Sequence, residues 1–269
     1  MRFLKTITVK ETDYYAEKDW KQSGALSNAA CSRRRNGRYR RELISSVSHD
    51  LRTPLTTIKG YVGGILDGIA ETEEKQKKYL LAVQTRTADL ENLVNQLSYY
   101  NKMETHTFQY KMEETDIREF LRSYMEENEE FIREKKLEIL TVMGKPMPKS
   151  VDERLTINMD RGAFKRVLDN LLTNSIRYRE KETSRIKITA RREASRIFWN
   201  IGDDGPGVPE EDLEKIFESF CRLDEARAHC SDGSGLGLAI VKRIVIDHQG
   251  TVYARNHDGL EVCMEFPAV

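Results

Sequence analysis

Two helical patterns, each with a single apolar stripe, constrain this chain more than any other feature. From about Tyr39 to Ile69, Leu43, Val47, Leu51, Leu55, Ile58, Val62, Ile65 and Ile69 recur in steps of three and four, which puts them on one helix face. Gly68 to Glu74 supplies a break. Leu80, Val83, Thr87, Leu90, Val94, Leu97 and Asn101 then form a heptad-like seam. Two helices joined by so short a break fold back as an antiparallel hairpin. Facing stripes still leave Ile44, Leu66 and Leu81 uncovered, and pairing two hairpins into a four-helix bundle would bury them. Residues 40–104 therefore predict a homodimer. A plain coiled-coil oligomeriser accounts for the seam equally well.

Within the first helix stands Ser48-His49-Asp50-Leu51-Arg52-Thr53-Pro54. His49 falls off the apolar stripe with an acid beside it, placed to react rather than to pack. Pro54 cannot donate to the carbonyl of Asp50, which predicts a local bend. From the helix alone, an ordinary solvated histidine fits as well.

Lys+Arg and Asp+Glu both total 44, so no net charge argues for nucleic acid. The four cysteines, Cys31, Cys221, Cys230 and Cys263, show no CxxC spacing and read as free thiols of a reducing compartment. Cys221, His229 and Cys230 are the one combination that could hold zinc. No apolar run approaches the ~20 residues of a membrane span, and Met1 to Lys10 is no signal peptide; the expected location is cytoplasmic. Residues 1–38 carry no assignable domain. Six arginines between Arg33 and Arg41 read as the solvated start of the coming helix. The sharper alternative is a basic segment attracted to anionic lipid, if a longer parent protein is membrane-attached.

After Met103 the pattern changes. Asp116 is a plausible cap for a helix carrying Phe120, Leu121 and Tyr124. Strand-like runs follow at Leu137–Val142, Leu155–Asn158, Ile186–Ala190, Ile197–Ile201, Thr251–Arg255 and Leu260–Phe266, the last two joined through Asp258-Gly259. Helices begin near Asp160 and Gly235. The expected fold is thus α plus α/β: a helical hairpin over 39–105, then a two-layer α/β sandwich over 110–269.

Three constellations there carry chemistry. On the helix from Phe164 to Tyr178, with its stripe of Phe164, Val167, Leu168, Leu171, Leu172 and Ile176, Asn170, Asn174 and Tyr178 recur every four residues on another face. Amide oxygens suit Mg²⁺ shared with a substrate's phosphates; exposed polar asparagines are the bland alternative. Ile197 to Ile201 delivers Asp203 to the turn Gly205-Pro206-Gly207, where a carboxylate can accept from an exocyclic amine such as adenine's or merely cap backbone N–H groups. Gly233-Ser234-Gly235-Leu236-Gly237 precedes a helix, as a phosphate-cradling loop would, yet is neither a Walker loop nor a dinucleotide fingerprint. The polar segment up to Ser231 has the length of a lid.

Taken in this order, these elements resemble the transmitter of a two-component sensor histidine kinase. His49 to Pro54 resembles the phosphoacceptor box, Asn170 to Tyr178 the asparagine box and Asp203 to Gly207 the first glycine box. Phe217 to Arg222 resembles the phenylalanine box and Gly233 to Gly237 the second glycine box. The resemblance implies an ATP-binding fold shared with chaperone and mismatch-repair ATPases. Asn174, helped by Asn170, would hold Mg²⁺, and Asp203 would contact adenine. Gly233, Gly235 and Gly237 would hinge the lid. The nucleotide site would be completed by Arg177, Tyr178, Gly205, Gly207, Phe217, Arg222 and Leu238. His49 would take the γ-phosphoryl group with Asp50 as general base and pass it to an aspartate of a response regulator. Thr53 would serve a phosphatase reaction. Arg177 replaces the family's usual lysine, and Asp204 its commoner asparagine, a charge expected to weaken nucleotide affinity. The runner-up function is a nucleotide-binding scaffold without autokinase activity, and a third is a bare ATPase.

Overall fold

The computed structural model describes residues 48, 50–105, 107–143, 154–221 and 234–269. His49, Arg222, Gly233, His229, Cys230, the segment Arg33–Arg41, the loop after Met143 and the expected lid lie outside the described residues. Residues 1–52 and 53–269 form two compact units; in the first, Ser48 and residues 50–52 are helical.

The second unit opens with helix α1, residues 53–66. Gly68, at φ 73°, makes the reversal, and the N–H of Ala70 donates to the carbonyl of Gly64 at 3.0 Å. Helix α2 spans Glu73–Glu104, its first turn capped by the Thr72 hydroxyl, which accepts from the Lys75 N–H at 3.2 Å. The break is shorter than expected. Glu73 and Glu74 belong to the helix because carboxylates favour its N-terminal end. The two helices meet where the rings of Tyr61 and Tyr79 pack edge-on at 5.0 Å. Gly64 lets this happen, since a Cβ there would lie 2.9 Å from the Tyr79 ring. Leu55, Val62, Leu66, Ile69, Leu80, Leu81 and Val94 remain exposed.

The remainder is a sheet domain. Strand β1 (Glu113–Asp116) pairs antiparallel with β3 (Thr156–Met159). Asp116 caps helix α3 (Ile117–Glu127) through the Arg118 N–H at 2.8 Å, as expected, and a short α4 (Glu129–Glu134) follows. Five further strands, β2 (Leu137–Met143), β4 (Ser184–Glu193), β5 (Arg196–Gly202), β6 (Thr251–Asn256) and β7 (Leu260–Pro267), lie in the order β2-β4-β5-β7-β6. Only the β2–β4 pair is parallel. Along β4, Ser184, Ile186, Ile188 and Ala190 are buried and alternate with more accessible residues, so one face is covered. Helix α5 (Arg161–Tyr178) and helix α6 (Gly237–Asp247) belong to that covering layer. Trp199 of β5 stacks on Phe164 of α5 at 5.5 Å, with Phe120 and Phe266 beside them. A helical hairpin followed by an α/β sheet domain matches the expected class.

The connection between the two parts is docked. Rings of Tyr99, Phe108, Tyr110 and His248 follow one another at 4.8 Å steps, and His248 meets Phe164 at 5.0 Å. The Tyr110 hydroxyl donates to the Asp247 carboxylate at 3.0 Å. The Lys111 N–H donates to Asp160 Oδ2 at 2.7 Å. At the end of α2, Arg166 lies over the Tyr99 ring at 4.2 Å.

Candidate functional site

Strand β5 carries the chain into the heart of the sheet and releases it at Asp203. The Asp203 N–H donates to the Leu260 carbonyl at 3.0 Å, which ties the turn to the start of β7. Its Oδ1 accepts from the N–H groups of Gly205 (3.0 Å) and Leu260 (3.1 Å), and its Oδ2 from the Ser175 hydroxyl at 3.1 Å. Turn capping is therefore realised on one oxygen, while the other stands against α5. Gly207 takes φ 75°, and a Cβ on it would strike Asn256 Oδ1 at 2.6 Å. Asn256 grips the next residue from both sides: Oδ1 accepts from the Val208 N–H at 3.0 Å, and Nδ2 donates to the Val208 carbonyl at 2.6 Å.

Helix α5 starts at Asp160, whose Oδ1 accepts from the Ala163 N–H at 2.8 Å. Val167, Leu168, Leu171 and Leu172 face the core, leaving Asn170 and Asn174 half-buried beside it. The Asn170 amide donates to the Arg166 carbonyl at 2.8 Å, so its oxygen faces outward from that bond. A Cβ on Gly237 would lie 3.0 Å from that oxygen, which brings the second glycine box against the asparagine box. Tyr178 is exposed at the end of the helix, and Arg177 is half-buried.

Gly235, at φ 63°, packs against the backbone of Phe220: a Cβ would meet Phe220 Cα at 2.7 Å, and the Phe220 N–H donates to the Gly235 carbonyl at 2.8 Å. Phe217 is buried nearby, and Lys242 lies over its ring at 5.9 Å. Helix α6 then begins at Gly237 with neither a side-chain cap nor an acid in its first turn among the described residues, an end that favours negative charge. Leu238, in that turn, is half-buried. Asparagine helix, Asp203 turn, Phe217–Phe220 and Gly235–Gly237 thus come together on one side of the sheet.

Asp204, next to Asp203, has partners of its own. Its Oδ1 accepts from the Arg185 N–H at 2.9 Å and its Oδ2 pairs with Lys181 at 3.0 Å. Partial burial opposes ionisation, but these partners outweigh it and hold the carboxyl below its usual range. The charge is committed to Lys181 and to the start of β4.

On the hairpin, Asp50 is half-buried and Thr53 exposed. The Thr57 hydroxyl donates to the Thr53 carbonyl at 3.1 Å.

Two family models match the chain. One, described as the histidine kinase-, DNA gyrase B- and HSP90-like ATPase, covers residues 159–269. The other, the His Kinase A (phospho-acceptor) domain, covers residues 39–106. The chain belongs to the sensor histidine kinases of two-component systems. It is similar to the sensor histidine kinase WalK of Bacillus subtilis, 32% identical over 84% of this chain and 36% of that protein. A crystal structure of histidine kinase ThkA in complex with the response regulator TrrA shares 25% identity at a TM-score of 0.66, over 95% of this chain and 66% of that one. Full-length ShkA in complex with AMPPNP shares 27% at a TM-score of 0.56, over 84% and 45%. The chain spans about a third of the length of WalK. Among the described residues, no helix of this histidine kinase transmitter is long and apolar enough to cross a membrane.

The sequence did not point to Ser175, Asn256 or the Leu260 N–H as parts of the site. Of these, Ser175 left a trace, as a polar residue four places after Leu171 on the buried stripe. Asn256 acts through tertiary contact alone and carried no pattern, and Gly259, legible only as a hairpin turn with Asp258, packs against Asp203.

Proposed function

We propose that this chain is the catalytic core of an ATP-dependent protein-histidine kinase, extending over 39–105 for the phosphoacceptor hairpin and 110–269 for the ATP-binding domain. The observation that carries the reading is the Asp203 turn. Its carboxylate is fixed by three donors next to the asparagine helix, within the region matched by the ATPase family. Asp203 takes the adenine amine. Gly205 and Gly207 shape that end of the site, with Tyr178 beside them. Asn174, whose side-chain amide makes no hydrogen bond among the described residues, and Asn170 offer oxygens to Mg²⁺. This fits the hard-cation preference for oxygen donors, and the cradle that a Cβ on Gly237 would fill leaves room for phosphates. Mg²⁺ would supply charge neutralisation on those phosphates. Arg177 and the N-terminus of α6 add positive potential. Gly233, Gly235, Leu238, Phe217 and Arg222 form the lid and its roots.

In the reaction a ring nitrogen of His49 forms a bond to the γ-phosphorus as the bond to the ADP oxygen breaks, and Asp50 takes the ring proton. Positioning supplies most of the rate. The phosphoryl group then passes to an aspartate of a response regulator, and Thr53 orients water for the opposing hydrolysis, in which the water oxygen bonds phosphorus, the bond to the aspartate oxygen breaks and inorganic phosphate leaves. The exposed leucines and valines of α1 and α2 support a homodimer. A cytoplasmic location belongs to this reading.

Incubation with γ-labelled ATP and Mg²⁺ tests it. Acid-labile, alkali-stable label that disappears in His49→Gln is expected, and Asn174→Ala abolishes it while preserving the oligomer. Phosphate release without labelled protein would point to a bare ATPase, and nucleotide binding with neither signal to a scaffold.

A further inference from the structure

We infer that Ser175 is a positioning residue that sets base specificity by acting through Asp203; the inference rests on Asp203 being the adenine acceptor. A carboxylate offers about four lone-pair sites. Oδ1 has both of its sites filled by the Gly205 and Leu260 N–H groups, at 3.0 and 3.1 Å. Oδ2 receives the Ser175 hydroxyl at 3.1 Å and keeps one site. That hydroxyl also lies 3.0 Å from the Leu171 carbonyl. Its single proton goes to the carboxylate, because a charged acceptor is the stronger one and the Leu171 carbonyl already takes the helical N–H four residues on.

The seat is tight on the opposite side as well. A Cβ on Gly259 would stand 2.6 Å from Asp203 O, Asp203 Oδ1 and the Gly205 N. Ser175 is buried on α5, so its hydroxyl does not swing away into solvent. With three donors in place, one Oδ2 lone pair remains, and it suits a donor. An exocyclic amine completes the set. A keto oxygen at the same place brings lone pair against lone pair and is rejected, as sites built for a hydrogen-bonding group reject analogues lacking it. Removing the Ser175 hydroxyl frees a second lone pair and the torsion of the carboxylate, so the amine loses its fixed partner.

Calorimetric binding of ATP and of inosine 5′-triphosphate to the full chain, with Mg²⁺, tests this in Ser175→Ala, Asp203→Asn and the double variant. Ser175→Ala is expected to weaken ATP about five- to tenfold, the scale of one hydrogen bond, to leave inosine triphosphate unchanged, and to add nothing in the Asp203→Asn background. Equal losses for both nucleotides, the same loss in both backgrounds, or no loss would each overturn it. Asp203→Asn that still prefers ATP as the parent does would instead remove the adenine reading beneath it. Ser175→Cys, similar in volume but a weak donor, falls between serine and alanine if the inference holds and provides the measurement should the alanine variant not fold.

Discussion

At the scale of single residues, the sheet domain depends on one imidazole. His248 is buried, with Nδ1 2.6 Å from the Ile244 carbonyl and Nε2 accepting from the Asp160 N–H at 3.0 Å. These partners require a neutral ring with its proton on Nδ1, and protonation would turn the acceptor of Asp160 into a donor facing a donor. Burial holds the pKa below the ordinary histidine value, against the pull of the Ile244 carbonyl and of Asp160 and Asp247. A depressed folded-state pKa means that the unfolded chain binds the proton more readily. The stabilisation is therefore complete above about pH 6.5 and lost as pH falls from there toward the folded value. Urea melts between pH 7.5 and 5 are expected to show stability declining below about 6.5. His248→Gln should start lower and lose less across the same interval.

At the scale of elements, the docked connection is the most testable part. Burial first, then the Asp247 charge, pushes the Tyr110 hydroxyl well above its ordinary range, so it remains a donor. Tyr110→Phe keeps the ring contacts at 4.8 Å but removes the bond to Asp247. A loss of stability on the order of 1–2 kcal/mol is expected, measured by urea unfolding. Elements also differ in how visible they were beforehand. Strand β4 was legible because Ile186, Ile188 and Ala190 alternate inward; α5 was legible because its stripe is long. Strand β1 was not, since Glu113-Glu114-Thr115-Asp116 has no apolar period and is a strand only through pairing with β3. The short helix α4 follows α3 after Asn128 alone, too close for the pattern to separate the two. The site followed the same division. Asp203, Asn170 and Asn174 stood out through spacing and composition, whereas the partners of Asp204, Arg185 and Lys181, are brought to it only by the sheet and the loop before it.

At the scale of the molecule, the protomer leaves its hairpin unfinished. Leu66 is 80% exposed and Leu81 53%, on helices otherwise fastened by Tyr61 and Tyr79. Burying a leucine is worth about 1.5–3 kcal/mol, and a two-fold assembly counts each substitution twice. Leu66→Glu with Leu81→Glu is expected to shift sedimentation equilibrium from dimer to monomer while the nucleotide affinity of the sheet domain stays as it was. A parent chain that sediments as a monomer would remove the homodimer from the proposed function.

The line of rings from Tyr99 to His248 bears on how far the ATP domain can search. A slack tether would give it a cloud of positions around the hairpin, and the local concentration of nucleotide at the phosphoacceptor would follow polymer statistics. Rings packed edge-on or tilted at 4.8 Å steps restrain the connection instead. Under the proposed function, delivery of nucleotide would then depend on this docked connection and not on the length of a tether.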